Sequence, residues 1–267
     1  VDLSSVDISK LADNSVKLIE LLRRTEEEMI FELVSHTYCV KESGEVLKPV
    51  TSFCSSFKMD FDSDYWSDYV AKRDGKTQEA VLEEWKIKSK TALFRGSLLH
   101  ELIEHYLLEL KSAVEELPSY IECPSEFRKE AFDKFEVFKI WWRKINPDGE
   151  MKVVFSEGRM YSTELGLAGT ADLFIELRGE LFIFDWKTNE KFKTENKYQK
   201  LLPPFDAYQE TDLSFYSVQL STYKAILNSY GINIKGMVIV SIPTDGEIQS
   251  FNAFDFSTQL TQILTQK

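Results

Sequence analysis

Cysteine is scarce in this chain of 267 residues: Cys39, Cys54 and Cys123 stand far apart, with no C-x-x-C pair. Zinc ribbons and iron–sulfur clusters need closer or more numerous thiols, so neither organises this protein. The odd count fits a reducing compartment better than a disulfide framework. No apolar run approaches the roughly 20 residues that cross a bilayer. The opening Val1-Asp2-Leu3-Ser4-Ser5 lacks the basic and apolar regions of a secretory leader. These readings point to a cytoplasmic protein with no membrane partner. An organellar address stays open, because a start at Val1 points to a trimmed or engineered N-terminus. There is no repeat with a period of about 20–50 residues, no low-complexity tract, and no G-x-x-x-x-G-K-[ST].

Positive charge is also short. Lys and Arg number 32 against 44 Asp and Glu, a net charge of −12. That argues against a generic nucleic-acid coating protein, whose phosphate contacts demand a basic surface. A local basic stretch survives, with Lys187, Lys191, Lys193, Lys197 and Lys200 against Glu190 and Glu195. It is either a solvated face or a phosphate-tracking loop. Hydrophobic residues at 43% and aromatics at 13% suffice for a sizeable core. The length suits one large domain, or a core with an elaborate N-terminal part.

Apolar periodicity predicts a helix over Ile8–Ser35, then a hairpin of Thr37–Val40 and Val46–Ser52 around Glu42-Ser43-Gly44. Met59–Lys76 reads as aromatic, acidic and irregular. Thr77–Leu110 reads as two helices, with Gly96 marking a break or a close contact. Ser125–Ile145 is a further helix that Ser125 can cap and Asn146-Pro147 stops. Then the period changes: Lys152–Tyr161, Gly166–Leu177 and Leu181–Lys187 read as strands. A polar loop from Thr188 to Thr211 leads to a helix over Leu213–Ser229. Strands Ile234–Ile242 and Ile248–Phe254 and a short helix Gln259–Thr265 follow. The pattern predicts an α/β (α+β) protein, with one mixed sheet packed against helices.

The chemistry gathers on the second and third strands. If Arg178-Gly179 is a two-residue hairpin loop, Leu177 pairs with Glu180, and Asp172 falls opposite Asp185. Like charges facing each other across a sheet are destabilising. Phe182-Ile183-Phe184, just before Asp185, implies burial on both faces. Two acids on such ground need a cation or a shared proton, and hard oxygen ligands suit a divalent ion. Lys187 lies two residues beyond Asp185, on the same face. A bulge at Gly179 would shift this register by one. Glu157 on the preceding strand either adds a carboxylate or faces solvent. His100, with Glu104 one turn on, borders the apolar stripe of its helix, and His105 lies near the opposite border. Gln219 and Tyr223, four apart, share a helix face, where polar residues ordinarily meet solvent.

G-x-x-x-H (Gly96 to His100), G-T-A-D (Gly169 to Asp172), D-W-K-T (Asp185 to Thr188) and Q-L-x-x-Y (Gln219 to Tyr223) occur in that order. Together they resemble the PD-(D/E)XK nuclease superfamily, in its RecB-like exonuclease branch, over about Pro49 to Ile242. The resemblance implies a restriction-endonuclease-like core over 91–267 and a helical, strand-guiding region over 1–90. It implies that His100, Asp172, Asp185 and the Trp186 carbonyl bind one or two Mg or Mn ions. Lys187 would be the catalytic lysine, with Glu157 and Glu104 in support. Gln219 and Tyr223 would position the strand or brace the site, and Thr188, Lys191 and Arg95 would contact phosphates. Phe57, Phe61, Tyr65 and Trp66 would stack on bases. No iron–sulfur cluster is expected, since the four cysteines that some relatives carry are missing here. The expected activity is exonucleolytic cleavage of single-stranded DNA, alongside a separate helicase or recombination protein. The alternatives are a structure-specific or restriction-type endonuclease and a non-catalytic binding module.

Overall fold

The computed structural model describes residues 7–32 and 37–265. The chain forms two compact units, one of Val1–Lys58 with Trp141–Lys267 and one of Met59–Ile140. This division falls at other places than residue 90, because the N-terminal hairpin joins the main sheet.

The first unit is a mixed α/β structure around an eight-stranded sheet. In chain order it contains α1 (Asp13–Glu28), β1 (Met29–Glu32), β2 (Thr37–Val40), β3 (Val46–Pro49) and α2 (Val50–Ser55). The strands β4 (Met151–Ser162), β5 (Leu167–Leu177) and β6 (Glu180–Lys187) follow, as numbered along the whole chain. The helix called α7 here (Asp212–Ser229), strands β7 (Ile234–Ser241) and β8 (Gln249–Asn252), and α8 (Ser257–Thr265) complete it. The sheet order is β1-β2-β3-β5-β6-β7-β8, with β4 paired to β5. The β3–β5 and β6–β7 pairs are parallel, and α7 provides the crossover that a parallel pair requires.

The two-residue hairpin is present. Arg178 and Gly179 both have positive φ, 54° and 81°, the backbone twist that such a loop demands. The register runs without a slip from Leu177↔Glu180 to Leu173↔Phe184. Two N-terminal expectations change. The first helix stops at Glu28, and Met29–Glu32 pairs with Thr37–Val40 as an edge hairpin. The end of the predicted helix, Leu33 to Ser35, lies outside the described residues. Likewise β3 ends at Pro49, and Val50–Ser55 turns into a helix.

The start of α1 is secured from β5. Ala12 has no side chain able to cap the helix. Instead, Glu176 Oε2 accepts from the Ala12 N–H at 2.8 Å and the Ser15 hydroxyl at 2.7 Å, and Lys152 reaches Oε1 at 3.0 Å. Burial pushes the Glu176 carboxyl up, but these donors outweigh it and hold the group below the usual carboxylate range. A carboxyl depressed on folding stabilises above its unfolded pKa, and that contribution disappears as pH falls through the folded value. E176Q is therefore expected to cost about 2 kcal/mol at neutral pH. Urea unfolding should show the gap to wild type closing on acidification; a gap indifferent to pH would contradict this.

The second unit is helical: α3 (Ser63–Asp74), α4 (Gln78–Leu107), α5 (Pro118–Glu122) and most of α6 (Ser125–Ile145). The stretch expected to be irregular contains α3. The Asp62 side chain accepts from Tyr65 N–H at its start, and Gly75 closes it with φ 66°. The two helices expected over Thr77–Leu110 are one helix of 30 residues, capped by the Thr77 side chain, with Gly96 inside it. Leu98 and Leu102 of α4 pack with Leu117, Cys123 and Ala131 in this unit's own core. α6 begins at Ser125 itself rather than being capped by it.

Candidate active site

β5 has a shared edge. β3 pairs with it at Leu167 and Ala168, while the pairs of β6 end at Leu173. Gly169 to Asp172 lie between those two ladders, and a cleft of about 560 Å3 opens there. Its lining includes Gly169, Thr170, Asp172, Glu157, Gln219 and Tyr223, all in the first unit.

Asp172 is buried and hydrogen-bonded at both its polar ends. Its Oδ2 accepts from the Trp186 N–H at 2.7 Å, and its carbonyl accepts from Ser156 Oγ at 2.9 Å. Thus the β5–β6 register leads to Asp185, but at this point a side chain replaces the backbone partner of β6. Asp185, 1% exposed, is met by a cation from its own strand: Lys187 Nζ lies 2.7 Å from its Oδ2. Burial alone would lower the Lys187 pKa, yet Asp185 and then Asp172 overcome it and push the group up to about 12. The lysine is accordingly an ammonium at neutral pH. Its Nζ also sits 4.1 Å from the centre of the Tyr216 ring and donates to Gln219 Oε1 at 3.5 Å.

Gln219 and Tyr223 depart from the ordinary solvent-facing expectation. α7 is buried along most of its length, and both residues are buried with it. Gln219 Nε2 donates to the Tyr223 hydroxyl at 3.0 Å, so the two form a chain that ends on Lys187. Burial and the Asp185 and Asp172 charges raise the Tyr223 pKa well above its ordinary value. The Tyr223 ring needs the bare backbone of Gly169. A Cβ there would lie 2.7 Å from Tyr223 Cε1 and 3.1 Å from Val50 Cγ2. G169A is expected to destabilise by about 1–3 kcal/mol through overpacking, read as a lower thermal midpoint. An unchanged midpoint would mean that the ring moves freely.

Glu157 resolves toward the site. It lies between the pairs Ser156↔Leu173 and Gly158↔Ala171, in register with Asp172. Its φ of 52° is left-handed, within a strand. A non-glycine residue held so costs about 1 kcal/mol or more. Its carboxylate oxygen comes within 4.8 Å of one on Asp172. Asp185 is outside this close pair, engaged by Lys187.

The other expected residues are carried by other segments. Thr188 is half-buried just past β6, and Lys191, Lys193, Lys197 and Lys200 are exposed along the following loop. His100, Glu104 and Arg95 belong to α4 of the helical unit. There Arg95 is ion-paired with Glu130, and His105 Nε2 lies 2.8 Å from the Ser112 carbonyl. Phe61, Tyr65 and Trp66 are exposed, whereas Phe57 is a core residue against Phe53 and Phe205. Arg159, Phe31 and Tyr38, which also line the cleft, were not singled out by the sequence reading. Alternation along β4 from Glu157 leads to Arg159; nothing local marks the other two.

No family model matches the chain, and no curated protein matches it. Among solved structures it is similar to one described as "Crystal structure of SSO0001", at 15% identity, covering 64% of this chain and 82% of that chain with a TM-score of 0.25. A likeness of that size bears on neither fold nor function.

Proposed function

We propose that this chain is a Mg- or Mn-dependent deoxyribonuclease with a restriction-endonuclease-like core, acting on single-stranded DNA ends. One observation carries the reading. Two carboxylates, Glu157 and Asp172, converge within 4.8 Å at the break in the β5 edge, beside a buried Asp185–Lys187 pair. An ordinary sheet has no use for three acids and a lysine there. The order of the four sequence motifs supports the same reading.

The donor set fits the ion, since carboxylate oxygens are hard ligands of the kind Mg and Mn favour. Asp172, Asp185 and Glu157 would hold it, and the resemblance adds the Trp186 carbonyl and His100 of the helical unit as further ligands. When bound, such an ion stabilises charge on a phosphate and lowers the pKa of its water. Lys187 holds the attacking water by a donated hydrogen bond and offsets negative charge developing at the phosphate. Gln219 and Tyr223 brace Lys187 from α7. Thr188 and Lys191 meet the neighbouring backbone.

End-labelled single- and double-stranded DNA, each end blocked in turn, incubated with Mg or Mn, tests the activity and its polarity. Release of mononucleotides or short fragments from single strands is the expected result. Cutting of a circular single strand would favour the endonuclease alternative. Binding without turnover under either metal would favour the non-catalytic module.

A further inference from the structure

The cleft has an outer wall that the chemistry above does not use. On β4, Arg159 pairs directly with Thr170 of β5. Its guanidinium carbon lies 5.1 Å from the centre of the Phe31 ring. Phe31 in turn packs on Tyr38 with centroids 4.8 Å apart. The Tyr38 and Thr170 hydroxyls are 3.3 Å from each other. All four residues line the same cleft as Glu157 and Asp172. Arg159 is exposed and makes no ion pair with a described residue. Its cation lies over an aromatic face, and two hydroxyls line the same cleft, which together make an arrangement for an anion. The planar fork of a guanidinium matches phosphate oxygens in particular.

Spacing says which phosphate. Thr170 and Asp172 are two residues apart on β5, so both point to one side, about 7 Å apart along the strand. That is of the order of one backbone repeat of an extended nucleic acid strand. We propose that Arg159, with the Thr170 and Tyr38 hydroxyls, binds the phosphate next to the one cleaved, and so sets the strand's register over the acids. The inference rests on the nuclease reading for the identity of its ligand.

The test uses the full chain as wild type, R159Q and R159K. Binding of a fluorescein-labelled oligothymidine is followed by anisotropy in EDTA over a range of KCl. Cleavage of the same oligonucleotide is followed in Mn. R159Q should bind about tenfold more weakly, and its slope of log affinity against log salt should fall by about 0.7, the loss of one phosphate contact to a single strand. R159K should recover the slope without the full affinity. In cleavage, KM should rise more than kcat falls. A wild type that cleaves, with R159Q matching it in slope and KM, overturns the subsite and leaves the nuclease reading standing. A wild type that binds with an Arg159-dependent slope but never cleaves supports the subsite and overturns the nuclease reading. A wild type that neither binds nor cleaves overturns both.

Discussion

Replacing Lys187 by Met should lower metal-dependent cleavage by about a thousandfold or more, the scale seen when a charge-stabilising donor is removed from an active site. The same change should destabilise the protein, because Asp185 is 1% exposed and its Oδ2 has the Lys187 ammonium at 2.7 Å. Removing one partner of a buried pair leaves the other charge stranded, at a cost of about 3–5 kcal/mol. Asp185 can escape part of that cost by taking up a proton. The double variant D185N/K187M removes both charges and should recover most of the lost stability, with no recovery of cleavage. Urea unfolding of the two single variants and the double one, with a cleavage time course for each, separates structure from chemistry. Wild-type turnover by K187M would end the assignment of this lysine. Equal stability of wild type and K187M would mean that the pair carries no net weight in the folded protein.

Asp172 should behave in the opposite way. D172N keeps an oxygen to accept the Trp186 N–H, which Asp172 Oδ2 holds at 2.7 Å. It also removes a negative charge whose oxygen lies within 4.8 Å of one on Glu157. Without metal, D172N should therefore be at least as stable as wild type, a common trade at functional sites. Its Mn affinity should fall by at least about tenfold, and cleavage by about a thousandfold, as expected when a ligand oxygen is lost from a site of this kind. D172A lacks the acceptor as well and should lose about 1–3 kcal/mol for the buried N–H left behind. Calorimetric Mn titration and thermal melting decide the matter. A D172N protein less stable than wild type would show that repulsion between these acids is already compensated.

Much of the sheet was legible in the residues themselves. Strand alternation, the Arg178-Gly179 loop and the continuous Phe182-Ile183-Phe184 run were enough to predict β4, β5 and β6 and the register at Leu177↔Glu180. These signals are local, and a two-residue loop sets the pairing directly. The errors fell where local signals compete. Met29–Ile30 continues the apolar pattern of α1, yet these residues pair with β2, a contact worth more than another helical turn. Gly96 reads as a helix breaker, but its low propensity costs only about 1 kcal/mol, less than the packing of Leu98 and Leu102 on the rest of the helical unit.

By itself the sequence determined which chemical groups are present and in what order: two aspartates and a lysine on adjacent strands, a Gln–Tyr pair on a following helix, and too few thiols for a cluster. Covalent spacing settles such things, since residues two apart on a strand or four apart on a helix share a face. Only the tertiary structure decided that Glu157 turns toward Asp172 through a left-handed backbone. It also decided that Lys187 neutralises Asp185, that Gln219 and Tyr223 are buried, and that Arg159, Phe31 and Tyr38 share the cleft. The outcomes at the cleft bring together segments that are far apart in the chain, Phe31 and Tyr38 meeting Arg159 and Thr170 from more than a hundred positions away. They follow from how one sheet edge divides between β3 and β6, which no local pattern in the chain records.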